Sequence, residues 1–169
     1  MSTSIVRDAF GHHVWATLRL LDACAALSAD QLATAVPGTY GSILATMRHL
    51  VGADCSYLFR LTEGQIARVD EEALGLPELR AVMERNGPAW SQLLSGGLDG
   101  EKVIVARRDD GSETHAPVGI RVAQALHHGT DHRSQVCTAL TTLGVAPPEI
   151  DVWAFAWVND RLIEVPPSA

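Results

Sequence analysis

The sequence predicts an all-α fold: an up-down four-helix bundle with a small hairpin excursion between its third and fourth helices. Two observations predict it. Four long segments repeat apolar residues at helical spacing, and the connections between them are modest. One stretch, KVIVARRDDGSETHAPV, breaks the pattern with three β-branched residues, Val103, Ile104 and Val105, followed by the turn former Asp110-Gly111. A chain of 169 residues suits one domain, 1–169, with a real core.

The elements follow in order. Val6, Phe10, Val14, Leu18 and Leu21 place a first helix over about Ser4 to Ala26. Ser28 and Gln31 have capping-box spacing. After the turn-rich AVPGTYGS, Ser42 caps a second helix that ends near Gly64. Pro77 suits the first turn of a third helix, whose stripe is Leu79, Val82, Met83, Asn86, Trp90, Leu93 and Leu94. Gly87-Pro88 inside that stripe predicts a kink or a break. A fourth helix runs from about Arg121 to Leu143, stopped by Gly144 and Pro147-Pro148. The tail DVWAFAWVNDRLI predicts a short packed helix.

Composition excludes several classes. The net charge is −7 with no basic run, which argues against nucleic acid and against an anionic membrane surface. No stretch has the uninterrupted apolar length of a spanning helix, and MSTSIVRDAF has no apolar leader core, so the expected location is cytoplasmic. Cys24, Cys55 and Cys137 are an odd number without a C-x-x-C pair, so we read them as buried free thiols. Phosphate-loop, dinucleotide and nucleophile-elbow motifs are absent.

The chemistry concentrates in HHGTDHRSQV, residues 127–136. On a helical wheel, Val122, Ala125, Leu126, Gly129, Val136, Leu140 and Leu143 mark the buried side. His132 falls within it, His128 at its edge, and His127 points to solvent. His128 and His132 are therefore a pair at i and i+4, able to grip one divalent ion. A third ligand should come from another helix, and His49, in an otherwise apolar and small stretch, is the best candidate. The plainer reading is a buried polar network without metal.

Other residues carry paired readings. Arg133 is near the buried side and needs a partner; a salt bridge to Asp54 or Asp22 is favoured over an anion clamp for substrate. Asp54, beyond His49, is the candidate general base. Asp131 faces solvent or caps locally, or else orients a ligand histidine. Gly129 reads as a close helix approach, Trp15 as a core aromatic, and His12 and His13 as surface or mouth residues.

Four stretches carry a family likeness. VWATLRLLDACAALSADQL, VPGTYGSILATMRHLVGADCSYLFRL, HHGTDHRSQVCTALTTLGV and the ending PPEID together resemble the DinB-like superfamily of metalloenzymes. The resemblance spans most of the chain; only about Gln65 to Val118 contributes little. It implies a four-helix bundle, commonly a homodimer, with a divalent metal, zinc or nickel, held by His49, His128 and His132. Where the family often has Asn before the first paired histidine, this chain has His127. Some members resemble thiol-dependent S-transferases and isomerases that use bacillithiol, mycothiol or glutathione; others are described only as hydrolases.

Three neutral imidazoles would leave an ion its full charge and an open position. The first expectation is thus an enzyme that activates a low-molecular-weight thiol for transfer to an electrophilic small molecule. The alternatives are a hydrolase using metal-bound water and a non-catalytic metal-binding stress-response protein. No glutamate sits beside the histidine pair as in H-E-x-x-H.

Overall fold

A computed structural model describes residues 5–108, 110–165 and 167. Helices α1 (Ile5–Cys24), α3 (Ile43–Leu61), α4 (Leu76–Ser95) and α5 (Val118–Thr142) form the bundle. Two short helices, α2 (Ala29–Leu32) and α6 (Val152–Val158), and a single 3-10 turn at Glu71–Ala73 decorate it. Strands β1 (Val103–Arg107) and β2 (Glu113–Pro117) pair antiparallel, Val103 opposite Pro117 and Arg107 opposite Glu113. The all-α bundle with a hairpin between its third and fourth long helices is as expected. Among the described residues, no helix is long and apolar enough to cross a membrane.

Local chemistry sets the element ends. Ser28 and Gln31 form a reciprocal capping box on α2. Ser42 Oγ accepts the Ala45 N–H at 3.1 Å to start α3. At the hairpin, Gly111 adopts φ +81°, a conformation glycine reaches without penalty. The expected helix start at Ser4 lies outside the described residues. The tail is helical only over Val152–Val158, with Asp151 as its cap. Helix α5 begins earlier than expected, because Pro117 ends β2 and passes straight into its first turn.

Helix α4 runs through Gly87-Pro88 as one helix, which corrects the expected break. Pro88 removes the amide that would bond the Glu84 carbonyl, but both residues are exposed, so water can satisfy that carbonyl. Trp15 is also corrected. It is half-buried and lies under α6, its ring 5.6 Å from Phe155, with Arg19 over it.

The helix directions correct the expected simple up-down order, because two consecutive long helices run parallel. Phe10 stacks near Trp90 while Asp22 pairs with Arg80, so α1 and α4 are antiparallel. Tyr40, just ahead of α3, bonds Gln135 while Tyr57 meets His128, so α3 and α5 are antiparallel. Asp54 bonds Asn86, and Leu61 shares a groove with Leu93, so α3 and α4 are parallel. A parallel pair needs a return crossover. The chain from Thr62 to Gly75 supplies it, coming back along α3 until Arg48 Nε donates to the Leu74 carbonyl at 2.8 Å.

The core has two apolar clusters with a polar layer between them. One holds Leu20, Leu21, Ile43, Met47, Leu50, Met83 and Leu140; the other holds Phe10, Leu58, Leu61, Trp90 and Val118. Between them lie His13, Thr17, Asp54, Asn86 and Arg133, all buried. Arg133 Nη1 donates to His13 Nδ1 at 2.9 Å. Arginine can only donate, so His13 is neutral with its proton on Nε2. That N–H donates to Asp54 Oδ1 at 3.0 Å. Asp54 also accepts the Asn86 amide at 2.7 Å and the Trp90 indole N–H at 2.9 Å.

Several expectations change here. His13, expected at the surface, is 1% exposed. Arg133 reaches Asp54 only through His13, not by a direct salt bridge, and Asp22 instead pairs with Arg80. Burial pushes Arg133 down to about 10, opposed by the Asp54 carboxylate, so it stays charged at neutral pH. Gly129 does mark a close approach: a Cβ there would overlap the His13 ring.

Asp54→Asn removes the only carboxylate of this layer and should cost about 3–5 kcal/mol, read as a lower urea midpoint. Gly129→Ala should cost about 1–3 kcal/mol by the same measurement, because the added methyl must displace His13.

Candidate metal centre

Helix α3 presents His49 outward from the bundle core, and α5 presents His128 and His132 one turn apart. The antiparallel packing of α3 on α5 brings the three rings together. Ring centroids are 5.0 Å apart for His49 and His128, 4.9 Å for His49 and His132, and 4.3 Å for His128 and His132. One ring nitrogen from each histidine lies within 4.8 Å of the others. Nε2 of His49 and Nε2 of His128 are 3.1 Å apart. Two bonds of roughly 2.0–2.1 Å from one tetrahedral ion need nitrogens about 3.3 Å apart, so the donor set fits such an ion with little movement.

The surroundings orient the rings. His132 Nδ1–H donates to Gln135 Oε1 at 3.2 Å, which leaves its Nε2 lone pair free for the cluster. Gln135 Oε1 also accepts the Tyr40 N–H at 2.8 Å. Tyr40 stacks on His49, with centroids 4.1 Å apart and planes within 7°, and meets His132 edge-on. Burial, with His132 and His49 beside it, pushes His128 down to about 4. Burial also lowers His132, against the opposing Gln135 bond. These two imidazoles are therefore neutral at pH 7, the form that binds metal.

On the other side of His49, Glu71 Oε1 lies 3.7 Å from Nδ1. The crossover that returns along α3 carries this carboxylate, and Gly52 makes room for it. A Cβ at Gly52 would overlap the carboxylate and sit 2.9 Å from the Glu71 Cβ. Carboxylates in this position fix the orientation of a ligand histidine and raise its basicity.

A groove of about 340 Å³ opens beside the cluster, walled by His49, Ser56, Tyr57, Arg60, Glu71 and His128. Neither Asp54 nor Arg133 is among its walls; the structure places both in the buried layer described above. His127 and Asp131 are exposed, as the wheel places them. His12 is half-buried and bonds the Ile150 carbonyl at 2.7 Å, apart from the cluster.

Sequence reasoning missed Tyr40, Glu71 and Gln135. Gln135 was within reach, since it lies three residues after His132 on the same helix. Tyr40 and Glu71 come from connections, whose course no periodicity reports.

Fold and site together define a four-helix bundle carrying a three-histidine cluster that could hold a metal ion. The DinB family profile matches residues 1–164, and the chain belongs to that family. Comparison with curated proteins gave no match.

Gly52→Ala should push Glu71 off α3 and free the His49 ring. Glu71→Gln should act similarly but more mildly. We expect divalent-metal affinity about 10-fold lower or worse in Gly52→Ala, measured by competition with a chromogenic chelator.

Proposed function

We propose that this protein is a metal-dependent enzyme that activates a low-molecular-weight thiol for S-transfer to an electrophilic small molecule. One observation carries the reading. Among the described residues, the cluster offers three histidines and no fourth ligand-type side chain within the same reach, and it borders an open groove. A structural site would be closed by a fourth protein ligand; a three-ligand set keeps a position for a reactant. Zinc or nickel bound there supplies the positive charge that acidifies a coordinated thiol or water.

The chain's own residues do the rest. His49, His128 and His132 would hold the ion through their ring nitrogens. Gln135 and Tyr40 hold His132 and His49 in place. The Glu71 carboxylate, on the groove wall beside His49, accepts the proton that the thiol gives up.

Glu71 also favours the second reading, a metal-dependent hydrolase, because a carboxylate on the groove wall could equally take a proton from water. Substrate tests separate the two.

The first test is elemental analysis of untagged protein, followed by incubation with zinc and with nickel. We expect about one ion per chain, lost in His49→Ala, His128→Ala and His132→Ala and kept in His127→Ala. Protein that takes up neither metal would overturn the proposal. Metal-loaded protein should then accelerate thiol addition to an alkylating dye. Ester cleavage without thiol would shift the assignment to the hydrolase.

A further inference from the structure

The groove beside the histidines has a polarity that the metal reading does not use. His49, Ala53, Ser56 and Arg60 repeat at four, three and four residues, so they form one stripe along α3. Glu71 and the histidines stand at one end of this stripe and Arg60 at the other. Arg60 spends one donor on the Ser56 carbonyl, at 3.1 Å. It makes no ion pair among the described residues. Glu63, the nearest acidic residue along the chain, pairs instead with Lys102, and Arg121, Arg68 and Arg108 all act on Arg60 as like charges.

Each of those three makes contacts of its own, although the buried Nε of Arg121 has no hydrogen-bond partner. Arg68 stacks over Phe59 at 4.8 Å. Arg108 bonds Ser112, and Arg121 bonds the carbonyls of Ile104 and Thr114. The chain carries net charge −7, yet Arg60, on the wall of this groove, feels three further arginines. Burial lowers Arg60, and the like charges beside it act in the same direction. An arriving anion would relieve both costs, and a guanidinium with free donors matches the fork of a carboxylate.

We propose that Arg60 is the anion-binding end of the substrate groove, so that the small molecule taken here bears a carboxylate several bonds from its reacting atom. The spacing follows from the helix. Ser56, which anchors the guanidinium, lies seven residues after His49, about 10 Å along the axis. Glu71 at the histidine end repels the carboxylate and so fixes which way round the molecule lies. The position of the reacting atom rests on the function proposed above; the anion site does not.

Two titrations test it. In the first, metal-free protein is titrated with hexanoate and with hexanol, read by NMR at the amides of residues 56–60 and the arginine side-chain N–H groups. Saturable shifts with hexanoate alone, lost in Arg60→Gln and partly kept in Arg60→Lys, are expected. Hexanoate shifts that are absent, or that survive in Arg60→Gln, would overturn the inference whether or not a metal binds.

In the second, cobalt-loaded protein is titrated with 6-mercaptohexanoate and 6-mercaptohexanol, read by the thiolate-to-cobalt absorption band. The acid should bind roughly tenfold tighter or better, the worth of one hydrogen bond to a charged group, and Arg60→Gln should erase the difference. Equal affinity in the unaltered protein also overturns the inference. If neither thiol changes the spectrum, the thiol reading falls, and the metal-free titration alone decides the anion site.

Discussion

The chain of hydrogen bonds from Arg133 through His13 to Asp54 is the constraint on which the site depends. It joins all four long helices, since Asn86 and Trp90 of α4 also bond Asp54. Buried charges are costly unless every donor and acceptor is met, so the layer tolerates few helix registers. Asp54 sits five residues after His49 on α3, and Arg133 directly follows His132 on α5. Fixing one layer therefore fixes the height at which the three histidines meet.

This arrangement separates two jobs within one short run of sequence. In HHGTDHRSQV, His128 and His132 face His49, Gly129 and Arg133 face the core, and His127 faces solvent. A helix turns 100° per residue, so adjacent residues serve different surroundings. A histidine cluster that could hold an ion and a buried polar network are both present in this stretch, carried by different residues. The network is built on His13 rather than on the clustered histidines.

The crossover after α3 gives the site its asymmetry. Because α3 and α4 run parallel, the chain must return along α3 before α4 can start. That return lays Glu71 against Gly52 and beside His49. The same helix carries Arg60 to the far end of the groove, where the hairpin and the start of α5 add further arginines. A carboxylate at one end and a guanidinium at the other give the groove beside the histidines a direction.

The sequence by itself determined the four long helices, the capping of α2 and α3, the hairpin signal and the wheel position of the three residues His127, His128 and His132. These follow from local rules: helical periodicity, capping side chains and turn formers act within a few residues. It also singled out His49 as the partner on another helix. Only the tertiary structure decided that α3 and α4 are parallel, that His13 is buried between Arg133 and Asp54, that Tyr40 and Glu71 flank the cluster, and that Arg60 lies at the far end of its groove. Each of those depends on which helix faces which and where a connection travels, and no local pattern in a single chain encodes that choice.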